Sequence, residues 1–190
     1  SGRQSMVMEV SSQALKYQRV ENLPFDVACF LNIGRDHISP IEHPTFEDYF
    51  ESKLRIFDQA KTAVVNLGTE EVDRVLEAAS TAERLVTVGV EHPEASLWAS
   101  DVRVVGFNIE FNLHGLCADE SEAGEKVLLG IAGNFNVENA LVAIAAAHEI
   151  GIGIEAIKKG LSKLRVPGRM EVVESKDGRV ICVVDYAHNQ

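Results

Sequence analysis

The chain has 190 residues, 46% of them hydrophobic and 25% charged, with a formal net charge of −11. That balance suits one large globular domain, or one domain with part of another, and is ample for a core. The negative charge argues against nucleic acid or an anionic membrane surface as the main partner, although a local cationic pocket is compatible with it.

Taken in chain order, four short apolar runs read as strands buried on both faces: SMVMEV (5–10), FDVACFLN (25–32), TAVVNL (62–67) and RLVTVG (84–89). Helical stretches at 45–60 and 69–80 separate some of them, and alternating strand and helix predicts an α/β fold with a mainly parallel sheet flanked by helices. The first helix has a start signal, because Pro44 precedes Thr45 and Asp48 at capping-box spacing. On a wheel of about 100° per residue, Phe46, Phe50, Leu54 and Phe57 form one apolar stripe. Lys53 falls inside that stripe. Such a lysine either snorkels its ammonium to water or must recover lost hydration through a partner, neutralisation or modification.

Between 95 and 131 the pattern changes. Phe107, Ile109, Phe111 and Leu113 alternate with polar residues, the period of a half-exposed strand, and DVRVV and KVLLGI flank them. A small antiparallel β patch beside the parallel sheet is expected, serving as scaffold. A helix follows, with Val137, Leu141, Ile144 and His148 at helical spacing and Gly151 as its stop, then a second helix at 154–164. MEVVES and RVICVVDY around a DG turn at 177–178 read as a hairpin. No run approaches the ~18 apolar residues of a membrane span and no signal peptide is visible. Cys29, Cys117 and Cys182 lack metal-ligand spacing and read as buried thiols. The expectation is a cytoplasmic protein without membrane insertion.

In open α/β sheets ligands gather at the carboxyl ends of strands. Three such ends carry polar residues: Glu9 with Ser11 and Ser12, Asn32 leading to Arg35, Asp36 and His37, and Asp185 with His188. A carboxylate within an apolar strand is expensive unless paired. Glu9 and His37 at neighbouring strand ends suit a divalent cation, or else Glu9 is simply ion-paired or outward-facing.

MEVSSQAL, FLNIGRDHIS, DYFESKLRIF, GNFNVENALVAI, VPGRM and VVDYAH stand in an order that resembles the Mur ligase family, within it the UDP-N-acetylmuramoyl-tripeptide synthetases. The resemblance implies an ATP- and Mg²⁺-dependent enzyme that joins a carboxylate to an amine through an acyl phosphate in peptidoglycan synthesis. Its substrates would be a UDP-N-acetylmuramoyl dipeptide (L-alanyl-D-glutamate) and an amino acid, lysine or diaminopimelate. It implies Glu9, His37 and Lys53 as metal ligands, with Lys53 carried as a carbamate and Lys53 and His37 as catalytic residues. Asn136 and Asn139 would face the adenine, Arg169 and Asp185 the nucleotide, and His188 would lie near the phosphates.

The sequence departs from the family pattern at Gln13, where a histidine is usual, and in the loop DHISPIEHPT, which carries Ser39 and two extra residues. The phosphate loop GxxxxGK[ST] occurs nowhere in the chain. The expectation is a piece of a ligase, inactive alone: residues 1–167 the later part of a central ATP-binding domain, and 168–190 the first hairpin of the following amino-acid-binding domain. A folylpolyglutamate or cyanophycin synthetase, or a non-catalytic nucleotide-binding relative, are the alternatives.

Overall fold

A computed structural model describes residues 5–35, 38–116, 118, 123–175, 177 and 179–186. Six strands form one sheet in sequential order: β1 (Phe25–Phe30), β2 (Ala60–Asn66), β3 (Arg84–Val90), β4 (Leu97–Val105), β5 (Asn108–Gly115) and β6 (Glu125–Leu129). β1 to β4 pair in parallel, and β4, β5 and β6 pair antiparallel. The expected antiparallel patch is therefore continuous with the parallel sheet. The β3–β4 ladder is short, Val88–Val90 against Leu97–Ala99, because only the loop at 91–96 connects the strands.

The side-chain period of two in β2 divides the core. Ala63 and Val65 point to one face, where α2 (Phe46–Leu54), a 3₁₀ turn (Arg55–Gln59) and α3 (Val72–Ala79) cover them. Val64 points to the other, under α4 (Phe135–Glu149) and α5 (Ile154–Ser162). Phe50 and Phe57 are completely or almost completely buried, worth roughly 2–3 kcal/mol each in removed apolar surface. Arg74 on α3 clamps α2 by pairing with Glu47 and with Glu51 at 2.6 Å, its guanidinium lying 4.5 Å over the Phe50 ring.

Beyond β3 the face that α2 and α3 cover has no helix among the described residues, while α4 and α5 still cover the other, and there the alternation read from 107–114 governs. Ile109, Phe111 and Leu113 are fully buried, while Trp98 stacks on His114 at 4.0 Å on the wetter side. Phe107 departs from the pattern: it sits in the β4–β5 turn and is exposed. α4 ends as expected, with Gly151 at φ +84, a conformation that a Cβ disfavours. The helix predicted over 45–60 is α2 followed by the 3₁₀ turn, and α5 stops two residues earlier than predicted.

Two expectations fail. SMVMEV is no strand; Met6, Val7 and Met8 are exposed, and no described strand offers the run a ladder. An apolar run of this kind becomes a parallel strand only when neighbours bond its backbone and layers cover both faces. Cys182 is exposed, because β7 (Glu171–Glu174) and β8 (Ile181–Val184) form a separate two-stranded sheet on which, among the described residues, no helix packs. Cys29 is partly buried, and burial pushes its thiol up to about 11. Cys117 lies outside the described residues. Among those residues no helix is long and apolar enough to cross a membrane.

Candidate active site

The carboxyl ends of β1 and β2 and the start of α4 meet at one edge of the sheet. α2 enters this edge because Thr45 caps it, its Oγ1 accepting from the Asp48 backbone N–H at 3.1 Å. The Asp48 side chain, expected as the capping-box partner of Thr45, accepts instead from Lys16 at 2.6 Å and from His43 at 2.7 Å. His43 is fully buried, and its Nε2 lies 2.9 Å from Ser12 Oγ. With Asp48 ionised, Nδ1 carries the proton and Nε2 accepts from the Ser12 hydroxyl. The loop carrying His43 is thus tied both to α1 (Ser12–Lys16) and to α2. Lys16 and His43 together hold the Asp48 carboxyl below the usual carboxylate range, the Lys16 hydrogen bond first.

Lys53 projects from the last turn of α2. Its Nζ donates to the Asn32 carbonyl just past β1 at 3.4 Å and lies 5.1 Å from the Tyr49 ring centre and 5.7 Å from that of Phe30. Both distances suit a cation over an aromatic face. Among the described residues no carboxylate pairs with it, and burial lowers its pKa below the ordinary lysine value. Tyr49 in turn packs against His43, ring centres 5.2 Å apart. His43 thereby supports the aromatic floor under Lys53.

The other predicted site residues divide. Glu9 is exposed, since the strand expected to bury its neighbours is absent. His37 and His188 lie outside the described residues, as does Asp36. Asn136 and Asn139 come together at the start of α4, Asn139 Nδ2 donating to Asn136 Oδ1 at 3.3 Å while Asn136 Nδ2 donates to the Ala132 carbonyl at 2.6 Å. Arg169 reaches the Tyr186 carbonyl at 3.4 Å and its ring at 5.7 Å, beside exposed Asp185. A cavity of about 540 Å³ between the β4–β5 turn and residues 165–172 is lined by Arg169 but by none of Asn136, Asn139 or Asp185.

Three residues given no role from the sequence belong to this edge: His43, Asn66 and Glu138. Asn66 ends an apolar strand, the same signal that singled out Asn32 and Asp185. For Glu138 the signal was its place between the two asparagines.

A family model described as Mur ligase middle domain matches residues 1–147. The UDP-N-acetylmuramoyl-L-alanyl-D-glutamate–L-lysine ligase of Streptococcus sanguinis is 40% identical over 187 residues, 98% of this chain and 36% of the relative. A UDP-N-acetylmuramyl-tripeptide synthetase of Bifidobacterium longum is 39% identical over 199 residues, spanning 100% of this chain and 37% of the relative. A solved UDP-N-acetylmuramoyl-L-alanyl-D-glutamate–2,6-diaminopimelate ligase is similar with a TM-score of 0.79 and 30% identity, over 94% of this chain and 36% of that one. The chain therefore spans little more than a third of the length of these relatives. With the family model covering residues 1–147 and relatives about 40% identical along the whole chain, on a largely parallel sheet of the same fold, the chain belongs to the Mur ligase middle domain family.

Proposed function

We propose that residues 1–167 are the later part of the central domain of an ATP-dependent ligase, and 168–190 the opening hairpin of its next domain. The whole enzyme adds the third amino acid, lysine or diaminopimelate, to UDP-N-acetylmuramoyl-L-alanyl-D-glutamate. Relatives bearing those activities in their names, at about 40% identity along this chain, support the reaction class. The observation that carries the site is Lys53: an amine at a strand's carboxyl end, partly desolvated, without a carboxylate partner among the described residues and shifted toward its neutral form.

The neutral amine is the form that attacks CO₂. Its nitrogen lone pair forms the N–C bond as one C=O π bond of CO₂ opens onto oxygen, a proton leaves the nitrogen to solvent, and the product carbamate is an anion. Unmodified Lys53 would repel a divalent cation; its carbamate supplies the oxygen donors that Mg²⁺ prefers. On that condition the donor chemistry of Glu9, His37 and Lys53 would suit the metal, and these three would hold it. Bound Mg²⁺ would offset negative charge on the phosphate oxygens. Asn136 and Asn139 would receive the adenine edge, because a paired amide leaves Asn139 a carbonyl oxygen to accept and an N–H to donate. Arg169, Asp185 and His188 would complete the nucleotide side.

Residues 5–186, spliced in place of the matching segment of the Streptococcus sanguinis ligase, should support phosphate release that depends on the muramoyl dipeptide and an amino acid. Lys53→Ala should lower that release by roughly 10²–10³. In parallel, the chain incubated with ¹³C-bicarbonate should give a carbamate carbonyl resonance that Lys53→Arg removes. Release independent of the dipeptide, or a carbamate signal that survives Lys53→Arg, would overturn the reading.

A further inference from the structure

Asn66 closes β2 and is 1% exposed, yet its amide leaves nothing unpaired. Nδ2 donates one N–H to the Leu31 carbonyl at 3.0 Å and the other to Glu138 Oε2 at 3.0 Å. Oδ1 accepts the Gly68 backbone N–H at 3.1 Å. Rotating the amide by half a turn would set oxygen against oxygen at two contacts and N–H against N–H at the third, so a single orientation is held.

The partners give this amide its meaning. Leu31 precedes Asn32, whose carbonyl receives the Lys53 ammonium. Glu138 stands in the first turn of α4 between Asn136 and Asn139, where the helix dipole favours a carboxylate. The loop after β2 is shaped to admit it: a Cβ at Gly68 would lie 2.6 Å from Glu138 Oε1. One buried side chain thus joins the backbone under Lys53 to the turn that carries the two asparagines.

The geometry points to Asn66 and Glu138 as positioning residues that couple the two halves of the site, so that nucleotide at the start of α4 is felt at Lys53. This rests on the proposed adenine contact of Asn136 and Asn139. The bridge holds both halves in one arrangement, and reaction requires that the nucleotide and the Lys53 side keep a fixed separation.

The test uses this chain, ADP as the probe and two readouts. Affinity is measured by calorimetry, and the Lys53 ε-methylene resonance, assigned with Lys53→Arg, is followed by NMR. In the wild type ADP should bind and shift that resonance. Glu138→Ala should weaken ADP by roughly 10- to 150-fold, the worth of one charged hydrogen bond, and at saturating ADP the Lys53 resonance should no longer move. Glu138→Gln keeps an acceptor for Asn66 and should restore both. Asn66→Ala should behave as Glu138→Ala; if it does not fold, the two Glu138 variants decide alone. A Lys53 shift that persists in Glu138→Ala overturns the coupling and leaves the proposed function standing. Failure of the wild type to bind ADP overturns both.

Discussion

His43→Ala tests whether the variant loop is built into the site or merely lies beside it. The side chain is fully buried between the Ser12 hydroxyl, the Asp48 carboxylate and the Tyr49 ring. Truncation leaves the buried Ser12 hydroxyl without its acceptor, about 1–3 kcal/mol. It also removes an aromatic contact worth roughly 0.5–1.5 kcal/mol. Asp48 keeps Lys16, so its contribution is not added. The sum is roughly 1.5–4.5 kcal/mol, which for a chain of this size is a fall of about 3–18 °C in Tm. Urea unfolding, followed through the fluorescence of the single tryptophan Trp98 and through circular dichroism, measures it. Ser12→Ala belongs in the same experiment, because the two residues share one bond and the double variant should lose about 1 kcal/mol less than the sum of the singles. A midpoint for His43→Ala within about 0.5 kcal/mol of wild type, or strict additivity with Ser12→Ala, would refute the argument.

Lys53→Met should stabilise the chain at neutral pH, since the folded state disfavours the Lys53 charge. That advantage should shrink as pH rises toward the ordinary lysine value of 10.5, where the unfolded chain also releases the proton; urea midpoints across pH 7–10.5 check both. Asp48→Asn should flatten acid unfolding, because the lowered Asp48 pKa contributes stability above its ordinary 3.8 that is lost as pH falls below it. An unchanged slope below that pH would show that Asp48 is not a source. Gly68→Ala should push the Glu138 carboxylate off its seat, lowering Tm and shifting the Asn66 side-chain amide resonances. The chain by itself, given ATP, Mg²⁺, the muramoyl dipeptide and lysine, should release no phosphate above background, since no phosphate loop is present to hold the transferred group.

What the sequence determined by itself is local. The runs at 25–32, 62–67 and 84–89 became β1, β2 and β3, and Thr45 capped α2 at the predicted residue. The Phe46–Phe57 stripe placed Lys53 toward the core. Each of these follows from interactions within a few residues, where periodicity and capping are strong. The motif order carried the family, since six stretches in register constrain a fold more than any one of them. Tertiary structure decided the rest. Whether SMVMEV paired depended on neighbours that its own residues do not specify, and the described fold supplies none. Cys182 sits in an apolar run and is exposed, because burial belongs to the layer that covers a strand. The Ser12–His43–Asp48 chain joins residues 31 apart, and the Asn66–Glu138 bridge residues 72 apart. Neither has a periodic trace, because a side-chain hydrogen bond across the sheet edge needs only that the fold bring a donor and an acceptor within 3 Å or so.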